Sequence, residues 1–225
     1  MTELADMIGT DGLPPTLPIF PLAGVLLLPG GRLPLNIFEP RYLAMVRDAM
    51  TGQRLIGMVQ PTDPGSRANK PDVYKVGCAG RIVQLNETDD GRIQIVLGGI
   101  SRFRIAEELS AATLYRQVRA DWSPYANDGA EDKPAEIDRP RLLRALRAFL
   151  SLHNIPAEWQ AIEKAPSDAL VTSLAMICPF APNEKQALLE AGDATECCRV
   201  MVALMEMALL NRVAPQGDER GRPLN

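Results

Sequence analysis

Apolar positions along the chain change their period once. From Leu17 to Trp122 they come as short runs or alternate with period two, as strands do; beyond Glu136 they recur with the period of amphipathic helices. Val25 to Leu28 is a continuous apolar run closed by Pro29-Gly30-Gly31, which predicts a buried strand and a turn. Pro40 then suits a first helical turn, and Tyr42, Leu43, Val46 and Met50 recur on one stripe before Gly52, predicting a short helix. Strands are predicted over Arg54 to Gln60 and Val76 to Leu85, separated by a polar, turn-rich loop from Pro61 to Asp72. Arg92 to Leu97 alternates strictly and follows the turn residues Asp89-Asp90-Gly91, so it should pair antiparallel with Ile82 to Asn86. Alternation returns in Arg102 to Ile105, with Phe103 and Ile105 inward and both arginines solvated, and again from Tyr115 to Trp122.

Ser123 to Glu136 switches to small, acidic and helix-breaking residues and reads as a linker or long loop. Past it, Leu142, Leu143, Leu146, Phe149 and Leu150 form one helical stripe. Pro156, Pro166 and Pro182 each open a further helix, and Ala194 to Asn211 is the longest. The predicted organisation is a flexible N-terminus (1–16), a β-rich domain (17–122), a linker (123–136), a helical domain (137–213) and a flexible tail (214–225). The expected fold class is α+β, an antiparallel β pseudo-barrel followed by an α-helical bundle.

Composition narrows the chemistry. A chain of 225 residues with 46% hydrophobic content can bury a sizeable core. Its 24 basic and 28 acidic residues leave a net charge of -4, so the basic surplus of a nucleic-acid binder is missing and no nucleic-acid partner is expected. Residues 1–16 carry Glu3, Asp6 and Asp11 and no basic group, unlike a signal peptide, and the apolar runs are too short to span a bilayer. The expected setting is cytoplasmic, without a membrane. Cys78, Cys178, Cys197 and Cys198 fall in no C-x-x-C spacing and are expected to be reduced core residues.

Candidate catalytic groups are few. His153, the one histidine, sits where a helix ends and reads as support for that terminus rather than as half of a Cys-His dyad. A Ser-Lys pair at Lys164 and Ser167 lies beside Pro166, where Ser167 reads better as a helix cap with Asp168 in the first turn. No zinc spacing occurs with a single histidine, and no Gly-Lys pair exists to build a phosphate-cradling loop. No catalytic residue, metal or cofactor is expected.

The ordered match of Leu17 to Leu22 (LPIFPL), Val25 to Leu28, Pro29-Gly30 and Ile37 to Tyr42 (IFEPRY) resembles the opening of the Lon protease N-terminal, substrate-binding domain. The resemblance continues in Val76 to Ile82, Asp90 to Ile93, Gly99 to Ile105 and Asn183 to Glu190, and so covers about Leu17 to about Leu210. It implies a PUA-like pseudo-barrel with a helical bundle, of bacterial type, in a stand-alone form without the ATPase and peptidase modules. The implied function is non-enzymatic binding of unfolded or degron-bearing polypeptides, or of a protein partner, in an adaptor or chaperone-like role in protein quality control. The alternatives are a small-molecule or RNA-acting enzyme using a barrel cleft, or a structural protein with one fixed partner. Candidate polypeptide-binding residues are Leu33, Leu35, Phe38, Glu39, Arg41 and Arg102. Strand addition at an open sheet edge plus apolar contact would be the physical route. Glu39 and Arg41 have a structural reading too, a carboxylate at a helix N-terminus and an arginine tying the turn to a sheet edge.

Overall fold

A computed structural model describes residues 12–128 and 136–213. The expected tail (214–225), most of the N-terminus (1–16) and the middle of the linker (123–136) lie outside the described residues. Six strands form one sheet: β1 (Thr16–Pro21), β2 (Arg32–Ile37), β3 (Leu55–Val59), β4 (Val76–Glu87), β5 (Ile93–Leu109) and β6 (Arg116–Asp121). Their order is β2-β5-β4-β3-β1-β6, and β6 also returns to pair with β5. Five strands therefore close on themselves and β2 is left as an appendage. The length of β5 makes this possible: its first part pairs with β2, its last part with β6, and β4 runs along its other side. Irregularities at Val83 in β4, and at Ile100 and between Ile105 and Glu107 in β5, bend the long strands round the ring. All pairings are antiparallel except that of β1 with β3, which are joined through β2 and the helix α1 (Pro40–Thr51). The result is an irregular pseudo-barrel.

Its interior is narrow. Leu17, Ile19, Leu55, Val59, Ala79, Phe103, Ile105, Val118 and Ala120 form a closed cluster, with Trp122 tilted against Phe103 at 5.6 Å. Phe103 fills the centre because Gly57 and Gly77 face it without side chains. A Cβ at either would lie 2.8 Å from the Phe103 ring.

The larger core lies between the sheet and the helices α2 (Arg139–Leu152), α3 (Trp159–Lys164), α4 (Ser167–Ile177), α5 (Pro182–Glu190) and α6 (Ala194–Val213). It joins Phe20, Ile56, Cys78, Ile95 and Leu97 of the strands to Leu142, Phe149, Leu174, Leu188 and Met201 of the helices. One apolar core thus crosses the boundary between the β-rich and helical parts.

Val25 to Leu28 is the clearest departure from expectation. Leu26, Leu27 and Leu28 are buried, but the segment joins no ladder. It crosses the core side of the sheet between left-handed Gly24 (φ 73) and Gly30 (φ 75), and a Cβ on Gly99 would stand 2.0 Å from the Leu28 carbonyl oxygen. An apolar run has no period with which to distinguish a strand from a buried crossing. The helix expected to open at Pro156 begins at Trp159, and Ser167 is the first residue of α4 rather than its cap. The Ser167 hydroxyl accepts a bond from Arg139 Nη1 at 3.0 Å.

All five buried polar or charged side chains among the described residues, Gln60, Ser101, Arg102, Lys185 and Gln186, belong to the junction between α5 and the strands or lie beside it. Gln60 Nε2 donates to the Pro182 carbonyl (3.0 Å) and Gln186 Nε2 to the Val76 carbonyl (3.1 Å). Lys185 Nζ donates to the carbonyls of Gly24 (2.9 Å) and Met176 (3.1 Å), and burial lowers its pKa. Satisfied buried polar groups fix one packing of a helix where apolar contact alone tolerates several.

Candidate functional site

The distal end of the sheet, where β2, β5 and β4 lie side by side, holds most of the candidate residues. Among the described residues β2 pairs with β5 alone, Arg32 to Ile37 opposite Gly98 to Ile93, so its far side is a sheet edge. Pro34 in mid-strand fits only such a place, since it cannot donate to a ladder. Leu33, Leu35 and Ile37 alternate toward the main core, where Leu33 and Leu35 are half-buried and pack against it. Phe38, the next residue, is 61% exposed. The Arg92 guanidinium lies 5.9 Å from its ring centre and is paired with Asp90 at 3.0 Å.

On the other face, away from the helices, the strand register aligns Pro34, Val96 and Gln84 in one row and Asn36, Gln94 and Asn86 in the next. A shallow concavity of about 520 Å³ runs across these rows. Val83, the extra residue of the β4 irregularity, is exposed beside it. An open strand edge, a lone exposed aromatic ring and a row of side-chain amides can together hold an extended backbone without demanding one sequence.

Glu39 and Arg41 stand next to this end but are engaged with each other. Arg41 Nε donates to Glu39 Oε2 at 2.9 Å, its Nη1 donates to the Asn69 carbonyl at 3.3 Å, and its guanidinium covers the Tyr42 ring at 4.6 Å. Glu39 occupies the cap position of α1 without a side-chain capping bond. Both side chains are about two-fifths exposed, and such a pair contributes at most ~1 kcal/mol. Its visible effect is to tie the loop after β3 to the start of α1.

Arg102 is the correction. It is not solvated: only 9% of it is exposed, on the helix side of β5. Nε and Nη2 donate to the two oxygens of Asp128 at 2.8 and 2.7 Å, and the Nη groups donate to the carbonyls of Leu189, Ala191 and Gly192 at the end of α5. Burial alone would lower its pKa, but the bonds to Asp128 outweigh this and hold it raised. With its donors consumed inside the protein, Arg102 has none to offer a client. Alternation placed it on a polar face, but β5 is covered on both sides at this point.

A second concavity, of about 800 Å³, lies between the segment 124–128 and the helices α4 to α6 and has Arg102, Asp128, Asp168 and Cys197 in its wall. Burial pushes the Cys197 thiol up to about 12, so it is protonated at neutral pH. His153 closes the end of α2 with its ring 4.5 Å from Phe149. Among the described residues no group of His, Cys, Asp and Glu gathers as a metal site, and no helix is long and apolar enough to cross a membrane.

A pseudo-barrel with an appended edge strand, carrying a helical bundle on its outer face, defines an α+β module of the Lon N-terminal type. The family model for the ATP-dependent protease La (LON) substrate-binding domain matches residues 16–206, and the chain belongs to that family. Lon protease of Anaeromyxobacter dehalogenans is 32% identical over 88% of this chain and 24% of its own length. Lon protease 2 of Myxococcus xanthus is 27% identical over 88% of this chain and 24% of its own. The chain thus spans about a quarter of the length of the curated relatives it matches. Among solved structures, the Lon N-terminal domain protein from Xanthomonas campestris superposes with a TM-score of 0.58 at 24% identity, over 84% of this chain and 97% of that one. The N-terminal domain of Mycobacterium avium complex Lon protease gives 0.59 at 18%, over 85% and 98%.

Proposed function

We propose that this protein is a non-enzymatic, cytoplasmic polypeptide-binding module that takes up extended, unfolded or degron-bearing segments along the open edge of β2. It would serve as an adaptor or chaperone-like holder in protein quality control. The observation that carries the reading is the β2 edge itself, a strand with one partner among the described residues and the exposed Phe38 at its end. Family membership supports a role in substrate recognition. Phe38 supplies apolar contact, and Leu33 and Leu35 support the strand from the core side.

Strand addition makes a specific demand on the ligand, because its alternate backbone N–H groups must meet the edge. A short extended peptide and the same peptide N-methylated at alternate residues should therefore differ. In a fluorescence anisotropy titration we expect methylation on the edge-facing positions to weaken binding at least tenfold, since two or three hydrogen bonds of about 1 kcal/mol each are removed. Methylation of the other positions should change little. Equal binding of all three peptides would replace strand addition with apolar contact alone.

A further inference from the structure

We infer that the face of the β2-β5-β4 sheet turned away from the helices binds a carboxylate, held between Arg32 and Arg81, on the polypeptide that lies along β2. The inference rests on the strand-edge reading above and adds to it the chemistry of the ligand.

Arg32 and Arg81 are both opposite Gly98, the first from β2 and the second from β4. Directly opposed residues in antiparallel pairs share a face, so the two arginines flank Gly98, over which the exposed Val83 side chain packs: a Cβ on Gly98 would stand 3.2 Å from Val83 Cγ1. Their Cα atoms lie two strand spacings apart, about 10 Å, within reach of two long side chains converging on one anion. The next rows on this face are Pro34, Val96 and Gln84, then Asn36, Gln94 and Asn86, and beyond them Phe38 beside Arg92. Those rows contain four amides and no carboxylate. Neither Arg32 nor Arg81 makes an ion pair or a side-chain hydrogen bond among the described residues, whereas seven other arginines do form ion pairs.

Arg81 carries the second observation. Its Nε is fully shielded and has no hydrogen-bond partner, the one such side-chain atom among the described residues. A guanidinium that has already lost part of its hydration gains more from an added carboxylate than a fully solvated one, and its fork geometry suits two carboxylate oxygens. In a chain of net charge -4 this is a local positive site, at the opposite end of β2 from Phe38. The distance along the strand from Arg32 to Phe38 is about 20 Å, or roughly seven residues of extended chain. A peptide antiparallel to β2 would set its C-terminal end at the arginines and an apolar residue near its N-terminal end against Phe38.

Two sources of carboxylate fit, a chain terminus or an Asp or Glu side chain, and peptides separate them. The probes are fluorescein-labelled, valine- and threonine-rich peptides of about seven residues with phenylalanine near the label. One has a free C-terminus, one a C-terminal amide, and one an amide with glutamate as its last residue. We expect the free acid, the glutamate peptide or both to bind the intact protein about tenfold tighter than the plain amide, and the preference to shrink with added salt. Arg32→Gln, at an exposed position, should abolish that preference while leaving the plain amide's affinity unchanged, and Arg81→Gln should do the same if it folds by circular dichroism. A tighter free acid names a terminal carboxylate and a tighter glutamate peptide names a side chain. Equal binding of all three peptides, or a preference that survives Arg32→Gln, overturns the carboxylate site and leaves the strand edge standing. Failure of every peptide to bind overturns both.

Discussion

Arg102→Ala should lower the melting temperature by about 10 °C or more, one of the two largest effects expected in this protein. Removing one partner of a buried ion pair leaves the other charged in a poorly hydrated place and costs about 3–5 kcal/mol. Here Asp128 would be stranded, its side chain 9% exposed, and the carbonyls of Leu189, Ala191 and Gly192 would lose a donor together. At about 2–4 °C per kcal/mol for a chain of this size, the shift is easily read by calorimetry. Asp128→Ala should cost a comparable amount, and the double variant clearly less than the sum, because the two residues act as one unit. Additive losses, or a shift of only a degree or two, would mean that the clamp contributes little to the attachment of α5.

The second large effect is alkaline unfolding. All four thiols are buried and unpaired with one another, and burial raises every one: Cys178 to about 11, Cys197 to about 12, Cys78 further, and Cys198 in the same direction. A group whose folded pKa lies above its unfolded value stabilises fully below the unfolded value and loses that contribution as pH rises toward the folded one. Thiols in the unfolded chain titrate near 8.5, so stability should fall from about pH 9 upward, by up to ~1.4 kcal/mol per pH unit for each thiol. Tyr115, raised to about 12 by burial and by its bond to Asp48, adds to the fall above pH 10. Lys185 acts the other way, since its lowered pKa favours the folded state as pH rises, but it is one group against four. Urea titrations from pH 8 to 11 should show a steep decline, shallower in Cys197→Ala whatever that variant's stability at pH 8. A flat profile would contradict the burial of these thiols.

Legibility in the sequence followed the physics of each element. The hairpin of β4 and β5 was readable because Arg92 to Leu97 alternates and Gly91 takes the left-handed turn position (φ 79). Three helix starts were readable from proline, at Pro40, Pro166 and Pro182. Strands β1 and β2 were not, since Pro18, Pro21 and Pro34 break the pattern that a strand would keep; Pro34 sits in the edge strand β2, whereas β1 holds its prolines between β3 and β6. Arg102 was misplaced because period two reports which residues share a face, not whether another layer covers that face. Phe38, Glu39 and Arg41 were found together at the end of β2 because they are neighbours in the chain. Arg32 and Arg81 were not found, since only the strand register brings them to opposite sides of Gly98.

Amide hydrogen exchange with and without a saturating extended peptide tests the central claim most directly. Strand addition at β2 predicts that exchange slows over Arg32 to Phe38 and, more weakly, across Gln84 to Asn86 and Gln94 to Val96, while α4 to α6 are unchanged. Protection centred on the cleft walls formed by α4 to α6, with Arg32 to Ile37 exchanging as in the free protein, would contradict it.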